Sequence, residues 1–200
     1  MQQESTRRSN KERSEATRTA LLEAGRALFI ERTYGEIGTP EIVARAGVTR
    51  GALYHHFADK QALFAAVVDA EAAAVAREIE QSSPQGTSAA EALLNGGRAY
   101  LDAMQVPGRT RLLLLDAPAV LGHAQAEAID MCHSARTLHE GLSIAIEAGA
   151  LPPLPLDPLT RMISAAYDSA ALDIEAGGDR KAWEEVLAQL FTGLAADNGS

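Results

Sequence analysis

Apolar residues along this 200-residue chain recur at spacings of three and four, and runs that alternate apolar with polar, as a half-buried strand requires, are absent. Ala, Leu, Glu and Arg dominate, all good helix formers. The pattern predicts an all-α protein of nine helices. The first runs over about 14–32, with Leu21, Ala24 and Leu28 on one stripe and Phe29 beside it; Ser9 and Glu12 offer an earlier capping box. In the stretch GTPEIVARAG, Thr39 is the expected N-cap and Pro40 the first helical residue, with Gly47 ending the helix. Thr49 and Asp59 are expected to cap the third and fourth helices.

The polar stretch SSPQGT closes the fourth helix, and Ser88 with Glu91 forms a capping box for the fifth. A sixth helix from about Arg109 is expected to stop near Pro118, and a long seventh to run over 123–149. LPPLPLDP cannot be helical throughout, because its prolines remove donors and fix φ. The eighth helix follows and ends at Gly177 and Gly178, and Asp179 caps the ninth, with Trp183, Val186, Leu187, Leu190, Phe191 and Leu194 on an apolar stripe. No internal repeat is visible.

Composition narrows the class. With 46% hydrophobic and 22% charged residues the chain is too apolar to be disordered. Cys132 is the sole cysteine, so no intramolecular disulfide and no cysteine-based zinc spacing is available, and a reducing cytoplasm fits. Neither a signal-peptide core nor a membrane-length apolar run is present. The net charge of −9 hides an asymmetry: residues 1–60 carry ten Lys/Arg against eight Asp/Glu, and residues 61–200 eight against nineteen. The first third is the basic part, where phosphates would be met.

The stretch AGVTRGALYHHF supplies the chemistry. The second helix, a tight turn at Gly47 and the third helix have the layout of a helix-turn-helix, whose second helix enters the DNA major groove. Gly47 suits a left-handed turn, and Val48 plugs the angle between the helices. Gly51 in a first helical turn costs roughly 1 kcal/mol relative to alanine, which makes sense where a bulky body approaches the backbone. Arg50 is suited to a bidentate contact with guanine O6 and N7. Tyr54, His55 and Lys60 are suited to phosphate, as are the hydroxyls and free amides at Thr39 and Thr49, which serve equally well as simple caps. His56 and Phe57 are expected in the core. The candidate DNA-binding set is Thr39, Thr49, Arg50, Gly51, Ala52, Tyr54, His55 and Lys60.

GTPEIVARAGVTRGALYHHFADKQALF resembles the DNA-binding signature of the TetR family of bacterial transcriptional regulators, and RTALLEAGRALF resembles that family's first helix. Thr33 stands where a glycine is usual, and Gly38-Thr39-Pro40 replaces the usual Thr/Ser-rich helix start. The resemblance implies a three-helix DNA-binding domain over 1–60 and a ligand-binding and dimerisation domain over 61–200. It further implies a homodimer formed by helices eight and nine, repressing transcription from a palindromic operator until a small-molecule effector binds. In helix eight, Ala165, Ala166, Ser169 and Ala170 suit a close helix–helix seam, and they suit a monomeric core as well.

Tyr100, Met104, Asp116, His133 and Tyr167 are the candidate effector contacts, with His123 and Asp130 as further polar groups among the later helices. His123, Glu127 and Asp130 share a helix face, which solvation explains without a metal. No metal, cofactor or catalytic residue is expected: a Gly-rich phosphate loop, a nucleophile elbow and a metal-ligand cluster are all missing from the sequence. A helical enzyme or a protein-interaction module remains the alternative, and the latter leaves Arg50, Gly51 and Lys60 without a common purpose.

Overall fold

The computed structural model describes residues 2–82 and 86–195, with side chains from Asn10 onward, so the Ser9 side chain and part of the expected SSPQGT turn lie outside the described residues. Among the described residues there are ten α-helices and no strand. They are α1 (Gln2–Glu31), α2 (Thr39–Ala46), α3 (Arg50–His56), α4 (Lys60–Gln81), α5 (Ala89–Met104), α6 (Ala117–Leu121), α7 (His123–Cys132), α8 (Ser134–Glu147), α9 (Leu156–Glu175) and α10 (Arg180–Ala195). A 3-10 turn at Tyr34–Glu36 joins α1 to α2, and a π-helical segment, Arg111–Asp116, leads into α6.

The count is ten rather than nine because the expected seventh helix is two. It breaks at His133, where φ is −128° and ψ −103°. No Gly or Pro marks the spot; the cause is tertiary, since His133 Nε2 lies 2.8 Å from the Asp69 carboxylate of α4, and Ser134 turns its hydroxyl back to Asp130 at 2.8 Å. Pro118 likewise does not stop a helix. It follows closely on the π-helical segment, within a helical run that continues over 109–121. The first helix also reaches back to Gln2, well before the expected start.

Several end signals act as their chemistry dictates. Thr49 accepts from Ala52 N–H at 3.2 Å, Asp59 from Ala62 N–H at 2.7 Å, and Asp179 from Lys181 N–H at 2.9 Å. Ser88 and Glu91 form the reciprocal capping box. Thr39 is the exception, because Gly38 is the N-cap and Thr39 is already inside α2.

Two apolar clusters organise the chain. The first gathers Leu21, Leu28 and Phe29 of α1, Ile42 of α2, Leu53 of α3 and Leu63, Phe64 and Val67 of α4, with Leu112 closing it from the π-helical segment. Phe64 meets Phe29 and Tyr34 edge-on, with centroids 5.0 and 5.1 Å away. The second joins Val75 of α4 to Leu101, Leu142, Ile163, Leu187 and Phe191. Helix α4 therefore runs through both, its early turns in one and its later turns in the other.

A buried ionic junction ties these cores together. Glu71 of α4, 8% exposed, receives Arg26 Nε of α1 at 2.7 Å and Arg109 Nε at 3.0 Å. Arg109, 5% exposed, also reaches Glu78 at 3.1 Å and the Ala103 carbonyl at 2.7 Å. Burial pushes the Glu71 carboxyl up, and the two guanidiniums more than offset it, leaving it below the ordinary carboxylate value. Two residues on, Arg111 donates to the Phe29 and Ile30 carbonyls at 2.5 and 3.0 Å and so caps the C-terminal end of α1. Gly108, with φ +76°, passes so close to α1 that a β-carbon there would stand 2.6 Å from Ile30.

Removing the charge at this junction leaves Arg109 buried and underpaired. Glu71→Gln is expected to lower the unfolding free energy by about 3 kcal/mol at neutral pH, read from urea denaturation. Because the folded carboxyl value is depressed, this contribution is present above the unfolded value and is lost as pH falls through the folded one. The parent and Glu71→Gln curves should therefore converge on acidification; a constant gap would contradict the ionic account.

Candidate nucleic-acid interface and internal cavities

The turn between α2 and α3 is built on Gly47, whose φ of +66° and ψ of +27° are left-handed. Its N–H and that of Val48 return to the carbonyls of Ala44 and Val43. Leu53 and Phe57 then anchor α3 in the first core, which turns Arg50, Gly51, Tyr54 and His55 outward as one exposed face. The Arg50 guanidinium lies 5.5 Å from the Tyr54 ring centroid, and Tyr54 is 43% exposed. A hydrogen bond from Arg50, with a smaller one from Thr39, holds the Tyr54 hydroxyl below its ordinary value. Ala52 is half-buried behind this face. Phe57 is core, as its type suggests, beneath the Arg18 guanidinium at 4.8 Å. His56 is half-buried, and burial lowers its pKa.

A β-carbon at Gly51 would meet only the Thr49 hydroxyl, at 3.9 Å. Nothing within the molecule demands glycine there. Lys60 corrects the sequence reading in the other direction. Instead of a free point charge, its Nζ donates to the Tyr34 and Ile37 carbonyls at 2.8 and 2.9 Å and stands 3.9 Å over the Tyr34 ring. Partial burial lowers its pKa. The carbonyls that leave the 3-10 turn need donors, and Lys60 is the cation within reach. The basic surplus of the first sixty residues is similarly committed in part: Arg45 pairs with Glu31 at 2.7 Å, Arg32 with Glu41, and Arg26 with Glu71.

The later helices enclose two cavities. The first, about 390 Å³, lies between α4, α5, α8 and α9 and is lined by Leu93, Gly97, Tyr100, Leu138 and Tyr167, among others. The second, about 420 Å³, reaches Met104, Leu113, Leu114, His123, Asp130 and Asp168. Tyr100, Ser134 and Ser164 belong to both walls. Tyr100 donates its hydroxyl to Asp168 at 2.6 Å. Burial, then the facing carboxylate, pushes Tyr100 well up, and burial pushes Asp168 up to about 6.

Of the expected effector contacts, Tyr100, Met104 and Tyr167 line a cavity, and two do not. Asp116 turns to Arg111, 3.2 Å from its Nε, and His133 turns to Asp69. Sequence reasoning missed Asp168, which no local pattern distinguishes from a surface acid on an amphipathic helix. Cys132 is exposed. The described residues contain no group of three or more His, Cys, Asp or Glu side chains placed to hold a metal, and no helix long and apolar enough to cross a membrane.

Residues 21–67 match the model of bacterial regulatory proteins of the tetR family, and residues 90–197 match the tetracyclin repressor-like C-terminal domain. A crystal structure of a TetR-family transcriptional regulator from Pectobacterium atrosepticum superimposes with a TM-score of 0.71 at 31% identity, covering 92% of this chain and 96% of that one. The chain belongs to the TetR family. It is a DNA-binding transcriptional regulator. The A-factor receptor protein of Streptomyces griseus is 33% identical over 93 residues, 46% of this chain and 32% of that protein. The transcriptional repressor BepR of Brucella suis is 44% identical over 62 residues, 31% of this chain and 29% of that protein. This chain thus spans about a third of the length of those two relatives.

Within this TetR-family chain, the α3 face and the cavities are joined by the π-helical segment. Leu113 and Leu114 line the second cavity, Leu112 sits in the first core, and Arg111 holds the end of α1. Two opposite substitutions check the geometry of the α2–α3 region. Gly51→Ala is expected to raise stability by about 0.5–1 kcal/mol, since open space awaits the methyl group. Lys60→Met is expected to lower it by about 1–2 kcal/mol through two lost charge-assisted hydrogen bonds. Thermal melts of the three proteins decide; a destabilised Gly51→Ala would show an internal constraint at that site.

Proposed function

We propose that this regulator is a homodimeric repressor whose residues 1–60 read a palindromic operator and whose residues 61–200 dimerise and bind a small-molecule effector that releases the DNA. The observation that carries the reading is the outward face of α3: an arginine, a glycine without an internal purpose, a tyrosine and a histidine, on a helix set by a left-handed glycine turn. Arg50 reads guanine, and Gly51 lets the DNA backbone approach. Tyr54, His55 and the α2 and α3 starts at Thr39 and Thr49 meet phosphate. Lys60 acts indirectly, by holding the loop before α2.

The dimer seam is assigned to α9 and α10. On α9 Met162, Ala165 and Ser169 are exposed along one stripe, and on α10 Ala182, Val186, Leu190 and Gly193 form another, with Val186 61% exposed. Small and apolar residues at these spacings suit close helix contact. Two α3 helices held by such a seam can occupy grooves roughly 34–36 Å apart, or a wider multiple of a turn. Effector binding acts through the π-helical segment and the Arg111 grip on α1, changing the separation of the two heads. Linkage requires the operator to weaken effector affinity by the same factor, typically about 1–3 kcal/mol.

Selection from random duplex DNA tests the reading, and the expected product is a palindrome. Arg50→Ala should then cost about 1–3 kcal/mol of operator affinity and relax preference at one base of each half-site. Val186→Glu should shift the protein toward monomer in sedimentation and weaken binding to the full palindrome. A selected site without two-fold symmetry, or parent-like binding by Arg50→Ala, would overturn the assignment.

A further inference from the structure

We infer that the first cavity is the effector site and that it takes an uncharged, largely apolar molecule carrying one hydrogen-bonding group, which pairs with the Tyr167 hydroxyl. This rests on the effector-responsive reading above and names the ligand chemistry of its site.

Tyr167 of α9 is 7% exposed, yet its hydroxyl has no partner among the described residues. It stands over Gly97 of α5, where a β-carbon would come within 1.9 Å of the hydroxyl oxygen. Glycine in a helix interior costs about 1 kcal/mol relative to alanine, so α5 gives up stability to admit this hydroxyl. Gly96 beside it and Gly141 on α8 also lie in the wall, and a β-carbon at Gly141 would crowd Leu93 at 3.1 Å. Arg111 Nε is the fully buried side-chain polar atom without a hydrogen-bond partner among the described residues, so the unpaired Tyr167 hydroxyl keeps accessible surface where a ligand or water can meet it. The crevice on the far side of Tyr167, beside Arg98 and Glu184, measures about 10 Å³, space for one water at most.

Of the other polar groups of the wall, the Ser164 hydroxyl, shared with the second cavity, is open, and the rest are already committed. Tyr100 donates to Asp168, Ser134 to Asp130, and Thr137 to the Ser134 carbonyl at 2.7 Å. The charged residues of the lining, Glu80 and Glu140, are exposed at its edge, and Arg136 spans them at 3.1 and 2.8 Å. Leu93, Leu138, Ile79 and Ile144 make the rest apolar. A charged ligand would lose its hydration without gaining an ionic partner inside. Burial holds Tyr167 up at about 12, so its hydroxyl stays protonated and able to donate. The Asp130 and Asp168 carboxylates of the second cavity receive hydroxyls of the shared wall.

Isothermal titration of the full-length protein without DNA tests the inference, using 1-naphthol, 1-methylnaphthalene, 1-naphthoate and 1-naphthylmethylammonium. Naphthol is expected to bind about ten-fold more tightly than methylnaphthalene, and both charged probes at least about a hundred-fold more weakly than naphthol. In Tyr167→Phe the naphthol advantage should fall to within about two-fold while methylnaphthalene affinity is unchanged, which isolates the hydroxyl. Ala92→Trp, which fills the cavity, should abolish binding of both neutral probes with the thermal melt preserved. An undiminished naphthol advantage in Tyr167→Phe, no naphthol binding, or preferred binding of the ammonium probe that Asp168→Asn removes would each overturn the inference. Gel shifts on the selected operator keep the two readings apart. Operator binding with a failed titration sinks this inference alone, whereas the expected titration without any operator sinks the repressor reading and leaves the cavity chemistry standing.

Discussion

The carboxylate of Glu71, held between Arg26 and Arg109, is the contact through which the two halves of the chain are made to act together. Each guanidinium comes from a different half; Arg109 is buried, and Arg26 is half-buried. Taking these charges out of water is unfavourable, and only a nearly fixed geometry recovers the loss. An apolar contact tolerates sliding; a buried ion pair with directed hydrogen bonds does not. The junction thus fixes the register between α1, α4 and the turn after α5. Arg111 and Gly108, both within a few residues of Arg109, extend that fixed register to the end of α1.

The same register joins the cavity walls to α1. The π-helical segment departs from the tighter α geometry, a local irregularity often found where helices must adapt. Its successive leucines face different neighbours, one in the first core and the next two along the second cavity. The same segment thus lines a cavity through Leu113 and Leu114 and is bonded to the end of α1 through Arg111. The connection is contiguous, and the shared Tyr100–Ser134–Ser164 wall brings the first cavity into it.

Glycines mark the places where local stability is given up for an approach. Gly47 does so for backbone shape, having the left-handed conformation the turn needs. Gly97 does so for a tyrosine hydroxyl, and Gly108 for the flank of α1. Gly51 differs from all three, because its φ is not left-handed and only the Thr49 hydroxyl, at 3.9 Å, borders the space it leaves. A residue costly to its own helix and useless to its own core is best understood by a body outside the chain. Lys60 shows the reverse: a charge that looks available from the sequence is occupied by carbonyls at the end of a turn.

The sequence by itself determined the helical class, the turn at Gly47, the caps at Thr49, Ser88, Asp59 and Asp179, and the outward-facing chemistry of α3. These depend on neighbours within about four residues, where capping and periodicity act. Tyr100 and Tyr167 were named from the sequence together with Asp116 and His133, and nothing local separated the pair that lines a cavity from the pair that turns to ion partners. The break at His133, the inward turn of Lys60, the diversion of Asp116 and His133 to ion partners, and the role of Asp168 were settled only in three dimensions. Their partners stand 5 to 68 residues away along the chain. Local patterns cannot show which of several chemically equivalent acids, bases or hydroxyls a distant helix will bring within hydrogen-bonding range, and that choice belongs to packing.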